Sequence, residues 1–144
     1  MAVEDRVFSL TLPSELRMLS VARTFVEAVG QACSLDRCIV HAVVTAAGEA
    51  VTNIIRHAHR DLPAAQLNIQ LQVRKDAVVL LFQDQGEPFD ITQVPHMNPG
   101  EIRIGGRGVF LMRALMDEVT CEPCTPGKRG NTLRLVKRCL SGAT

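Results

Sequence analysis

Glu49, Asn53 and His57 stand at four-residue steps in GEAVTNIIRHAH, residues 48–59. On a helix, positions i and i+4 share a face, so a carboxylate, a carboxamide and an imidazole can reach one site. An Asn carbonyl oxygen suits a hard cation such as Mg²⁺, which takes oxygen ligands and completes its shell with phosphates and water. A Glu one turn away can accept a proton from an attacking hydroxyl. The plain alternative is a solvated polar helix face. Asp84 and Gly86 follow in DQGEPFD, at the end of an apolar run. A carboxylate there can accept a hydrogen bond from an exocyclic amine such as that of adenine, and Gly86 lets the backbone turn. An ordinary strand-ending turn has the same composition.

Gly105, Gly106 and Gly108 in GGRGVF lead directly into a helical pattern. The free N–H groups at a helix N-terminus bind phosphate. The spacing is not that of the P-loop, and no Lys-Ser/Thr pair follows. Arg103 and Arg107 can each neutralise phosphate charge or simply face solvent, and the sequence does not choose between them. Gly130, Asn131 and Thr132 open a strand in GNTLRLV, where the Thr132 hydroxyl can meet a base or a water.

The elements that must position these groups follow from hydrophobic period. DRVFSLTL, residues 5–12, alternates as a first strand. Pro13 marks the start of a helix with Ser14 and Glu15 in its first turn, carrying an apolar stripe through Leu16, Leu19, Val21, Ala22, Phe25, Val26 and Val29, and Gly30 ends or loosens it. Ser34 and Asp36 can cap a second helix running to about Ala58. A step of about 100° per residue puts Val40, Val44, Ala47, Val51, Ile54, Ile55 and Ala58 on its sheet side. Glu49 and Asn53 fall opposite, beside Ala42 and Ala46, where small residues admit close approach.

QLNIQLQVRK alternates as a half-buried strand, Asp76 turns the chain, and AVVLLFQDQG returns as a more fully buried one. Residues 86–106 are rich in Pro and Gly and aperiodic, a long loop of the kind that forms functional lids. GVFLMRALMDEV reads as a third helix, and EVTCEPC, PGKRGN and TLRLVKR as a closing hairpin. The order β-α-α-β-β-loop-α-β-β argues an α+β fold, with helices on one face of a mixed, mainly antiparallel sheet.

The 144 residues suffice for a single domain, 1–144, with one core. A hydrophobic share of 47% excludes disorder. With five Phe and no Trp or Tyr, the core is aliphatic and stacking platforms for single-stranded nucleic acid are not expected. A formal net charge of +1 leaves no electrostatic footprint for nucleic acid or a membrane surface. The N-terminus shows no basic-then-apolar signal, so a cytoplasmic protein with reduced cysteines is expected. Cys121 and Cys124 form one CxxC without a second ligand pair, and the chain reads there as strand rather than zinc site. Arg134, Lys137 and Arg138 read as a solvated strand face, with an acidic partner surface as the alternative.

Glu-x3-Asn in a helix, then Asp-x-Gly, a Gly-rich lid and Gly-x-Thr resemble the four ordered boxes of the GHKL ATPases. Within that superfamily the chain is similar to the stand-alone anti-sigma-factor serine/threonine kinases of bacteria, from the first strand to about residue 138. The resemblance implies a Bergerat-type two-layer α/β sandwich that binds ATP and Mg²⁺. It implies Glu49 as general base, Asn53 as magnesium ligand and Asp84 with Gly86 as the adenine contact. Gly105, Gly106 and Gly108 would form the phosphate lid, with Arg103 or Arg107 nearby, and Thr132 would be the threonine of the last box. His57 would pack or hydrogen-bond near the phosphates. Pro88 stands where the broad superfamily has a second glycine. The implied partners are a sigma factor, a STAS-type anti-anti-sigma protein phosphorylated on Ser or Thr, and a second copy in a homodimer, in transcription regulation under stress. The alternative is a non-catalytic, ATP-gated module that sequesters regulators. A two-component histidine kinase would need a phosphoacceptor helix pair for which 144 residues leave no room.

Overall fold

A computed structural model of the chain describes residues 5–88 and 107–139. Strand β1 (Arg6–Pro13) leads to α1 (Leu19–Ala32) and α2 (Arg37–Asn53), then to β2 (Gln66–Val73) and β3 (Ala77–Asp84). Further along the chain come α3 (Arg107–Leu115), β4 (Glu118–Pro123) and β5 (Asn131–Arg138). The five strands form one sheet in the order β1-β2-β3-β5-β4, every pairing antiparallel. The fold is α+β, as the pattern of elements predicts.

Alternation decides which side chains meet the helices, since neighbours on a strand point to opposite faces. Leu67, Ile69, Leu71 and Val73 of β2 are buried, and they oppose Leu12, Leu10 and Phe8 on β1 and Phe82, Leu80 and Val78 on β3. Leu133 and Leu135 of β5 continue the layer. The other face carries Asn68, Gln70, Gln72, Gln83 and Arg134, with Val79 and Val136 buried among them. Arg134 and Arg138 share Glu118, and Lys137 Nζ donates to Leu115 O at 2.8 Å at the end of α3. Those basic residues therefore have partners within the domain.

α2 runs between α1 and α3 with the sheet beneath it. Its buried set is Ala42, Val43, Ala46, Ala47, Gly48, Ala50 and Val51, so the predicted apolar side is rotated: Val40 and Val44 are only half-buried. Three elements, rather than the sheet alone, cover the helix. Missing side chains let its neighbours approach closely. A Cβ on Gly48 would lie 2.8 Å from Arg23 Nε of α1, and one on Gly30 2.8 Å from Val40 Cγ2. Gly30 therefore does not end α1 but seats it on α2. Asp36 caps α2 by accepting from Cys38 N at 2.9 Å. The run Arg37–Ala58 is apolar and long enough by composition to cross a bilayer, but here it is the packed central helix of the domain.

Two boundaries differ from expectation. Pro13 closes β1, pairing with Gln66, and a 3₁₀ turn at Leu16–Met18 precedes α1, leaving Leu16 and Val21 exposed. Pro lacks the ladder donor but is tolerated at the end of an edge strand. α3 stops at Leu115, because Glu118 and Val119 join β4 against Val136 and Leu135.

Candidate functional site

The last turn of the central helix is not α-helical. Ile54–Ala58 form a π-turn, closed by His59 N donating to Ile54 O at 2.8 Å. The extra residue in this turn turns His59 inward, where it is 4% exposed, while His57 stays exposed. π-turns concentrate at functional sites because they re-aim side chains within a helix.

Between this turn, α3 and the ends of β3 and β5 lies a cavity of about 350 Å³. That size falls in the range of small-molecule sites, roughly 300–1,000 Å³. Ile54, Val109, Met112 and Leu133 supply apolar wall, with Ala50, Ala58, Cys121 and Pro88. Asn53, His57, Asp84, Glu87 and Asn131 supply the polar groups.

Asp84 is the best-defined of these. It ends β3 on the helix-facing side, 8% exposed. Its Oδ1 accepts from Gly86 N at 2.8 Å and from Asn131 Nδ2 at 3.0 Å. Among the described residues no hydrogen bond reaches Oδ2, which leaves a fixed carboxylate oxygen for a donor entering the cavity. Asn131 Nδ2 also donates to Glu87 O at 2.7 Å, tying β5 to the segment after β3. Gly130, at φ 107°, donates its N–H to Gly86 O at 2.8 Å. Such a positive φ suits glycine. Gly86 itself is needed for space rather than for an unusual turn. A Cβ there would lie 2.6 Å from Ala58 O and 2.8 Å from Ala58 Cβ, so the loop after β3 rests directly on the π-turn.

His59 joins the same loop from below. Its Nε2 accepts from Gln85 N at 2.8 Å, and its Nδ1 lies 2.7 Å from Ser14 Oγ. An N–H donated to Nε2 requires that nitrogen to be bare, so the proton of the neutral ring sits on Nδ1 and is donated to Ser14. Burial pushes the imidazole below its ordinary range, against the opposing pull of the Asp84 carboxylate. With both nitrogens engaged, His59 is not available to a metal.

Asn53 closes the opposite end of the cavity. Gly108, in the first turn of α3, approaches so closely that a Cβ would lie 2.6 Å from Asn53 Nδ2. The helix N-terminus and the carboxamide are thus held together by a missing side chain. A carboxamide oxygen is a donor suited to a hard cation, and a helix N-terminus is suited to phosphate. Glu49, one turn earlier on the same face, is half-buried and lies outside the cavity lining.

Of the residues singled out in the sequence, Asn53, His57 and Asp84 line this cavity, while Gly86 and Gly108 pack behind it against its wall residues Ala58 and Asn53. Thr132 does not line it. It alternates with the cavity-lining Asn131 and Leu133, so it points to the other face of the sheet, where its Oγ1 lies 3.1 Å from Cys124 Sγ. The polar side chain that enters from this strand is Asn131, beside the apolar Leu133. Arg103, Gly105 and Gly106 lie outside the described residues, as does the side chain of Arg107, which opens α3.

The histidine kinase-like ATPase domain family matches residues 12–137. Similar chains include three named serine-protein kinase RsbW. That of Oceanobacillus iheyensis is 28% identical across 76% of this chain and 75% of its own length. That of Staphylococcus epidermidis is 29% identical across 89% and 84%, and that of Listeria innocua 26% across 83% and 81%. The match runs from the end of β1 almost to the end of β5 and takes in every residue of the cavity, and the chain belongs to the histidine kinase-like ATPase domain family.

Proposed function

We propose that this chain is a bacterial anti-sigma factor and an ATP-dependent protein serine/threonine kinase. It binds Mg-ATP in the Asp84 cavity, holds a sigma factor inactive, and phosphorylates a STAS-type antagonist on Ser or Thr. The observation that carries the reading is the fixed Asp84 carboxylate at one end of an apolar cavity, with Asn53 against the N-terminus of α3 at the other. The names of the relatives support the kinase assignment.

In this reading Asp84 Oδ2 accepts from the exocyclic amine of adenine, and Ile54, Val109, Met112 and Leu133 cover the ring faces. The phosphates extend toward Asn53 and the start of α3, where Gly105, Gly106, Gly108 and Arg103 or Arg107 complete the lid. Asn53 would hold Mg²⁺, which when bound neutralises phosphate charge. Phosphoryl transfer is mainly positioning and charge neutralisation. The acceptor hydroxyl oxygen forms a bond to the γ-phosphorus, the bond to the β–γ bridging oxygen breaks, and ADP leaves. Glu49 takes the hydroxyl proton. The protein works in the cytoplasm as a homodimer, in transcription regulation under stress.

A second reading is an ATP-gated module that sequesters partners without phosphorylating them. It is favoured by Glu49 lying outside the cavity lining. Transfer from γ-labelled ATP into an extract of the source organism separates the two. The kinase reading expects one protein labelled by wild type and not by Glu49→Ala. Capture of a partner that depends on Mg-ATP, with no label transferred, supports the module. Labelling by Glu49→Ala at the wild-type rate removes Glu49 as base.

A further inference from the structure

We infer that His59 is a positioning residue for the nucleotide-binding loop after β3, and that protonating it releases the loop and weakens nucleotide binding in acid. The inference rests on the assignment of Asp84 to the nucleotide, and adds a residue and a control that the assignment does not contain.

The geometry is specific to the neutral ring. Gln85, the residue next to Asp84, donates its backbone N–H to His59 Nε2 at 2.8 Å. Nδ1–H anchors the ring on Ser14 Oγ, 2.7 Å away, in the connection between β1 and α1. The imidazole therefore bridges two segments that are 71 residues apart in sequence, from Ser14 to Gln85. A protonated ring carries hydrogen on both nitrogens. Its Nε2–H would then face the Gln85 N–H, two donors where one hydrogen bond stood. The ring is 4% exposed, so it cannot turn its new proton to bulk water without moving. The π-turn at Ile54–Ala58 holds the ring, so the donor–donor repulsion falls on the Gln85 N–H and works against the bonds that hold the loop in place. Retreat of Gln85 displaces Asp84 on one side and, on the other, Gly86, whose N–H is bonded to Asp84 Oδ1.

The surrounding charges do not remove this effect. Asp84 on β3 stabilises the imidazolium, but burial outweighs it. On the ring's own segment His57, Arg60 and Asp61 are exposed to solvent. Beside Ser14, Glu15 is paired with Arg17, and beyond Gln85, Glu87 is paired with Arg129.

The test compares wild type with His59→Gln, whose amide oxygen can accept from Gln85 N–H but does not titrate, and with His59→Phe, which cannot accept. Mg-ATP affinity is measured from about pH 8 to about pH 5, and each variant is referred to wild type at the same pH so that titration of the nucleotide cancels. At pH near 8, His59→Gln should bind within about threefold of wild type, and His59→Phe should bind more weakly. Below the lowered pKa of His59, wild type should lose affinity relative to His59→Gln by up to about tenfold per pH unit. A ratio of wild type to His59→Gln that stays constant across the range overturns the inference. Absence of Mg-ATP binding by wild type at pH 8 overturns the nucleotide assignment instead. The bridge is then judged without nucleotide, by NMR. The Gln85 amide should lose hydrogen-exchange protection in acid in wild type and not in His59→Gln, and equal protection in both refutes it. The NMR readout on wild type stands even if His59→Phe does not fold.

Discussion

Replacing Gly86 by Ala tests how the cavity floor is built. The new Cβ would sit 2.6 Å from Ala58 O and 2.8 Å from Ala58 Cβ. Carbon contacts are comfortable at about 3.5–4.0 Å, so loop and π-turn must separate by about 1 Å. Neither side yields easily. Gly130 N–H holds Gly86 O from above at 2.8 Å, and His59 N–H closes the π-turn below. Overpacking of this kind costs about 1–3 kcal/mol. The entropic gain of a Gly→Ala change is about 0.4–1 kcal/mol, so the clash wins. At roughly 3 °C per kcal/mol for a chain of this size, the net loss lowers Tm by up to about 8 °C. Asp84 is bonded to the same residue through Gly86 N. A displacement of about 1 Å at a binding group can cost up to about a hundredfold, so Mg-ATP affinity should fall by at least about tenfold. Differential scanning calorimetry and titration calorimetry read the two effects. A variant with wild-type Tm and wild-type affinity would refute the close contact and the coupling drawn from it.

Two further outcomes follow from the same contacts. Asn131→Ala should weaken Mg-ATP binding by about tenfold, since it strips one donor from Asp84 and one from Glu87 O, while Thr132→Val, on the opposite sheet face, should bind as wild type; titration of both variants checks this. For His59, the folded-state pKa is depressed below the ordinary value of about 6.5, so its contribution to stability is complete above that value and is lost as pH falls from there through the folded pKa. Denaturant titrations across that window should show wild type losing stability relative to His59→Gln, and parallel curves would count against the buried neutral ring.

Much of this architecture was legible in the sequence because period carries it. The alternation in QLNIQLQV set both the strand and its buried face. The four-residue step from Glu49 to Asn53 placed both on one side of α2, although the burial of Ala42 and Ala46 in a helix packed between α1 and α3 was not legible. Asn131 was within reach of the same reasoning. Leu133 and Leu135 mark the inner face of β5, and a period of two extends that face to Asn131, leaving Thr132 outside. The resemblance in motif points to the threonine instead. His59 was not legible, because a strict helical period places it wrongly and only the π-turn turns it inward. The role of Gly86 was likewise hidden: the sequence suggests a turn, whereas the structure uses the missing side chain to seat one segment on another.

The most direct measurement is titration of Mg-ATP into wild type and Asp84→Asn. The substitution keeps an acceptor for Gly86 N and Asn131 Nδ2, and turns the oxygen that faces the cavity into an amide donor. The account predicts saturable binding by wild type and a loss of about a hundredfold in the variant, the scale of a charged hydrogen bond replaced by opposed donors. Equal affinity in the two proteins, or no binding by wild type, would contradict the assignment of this cavity to the nucleotide.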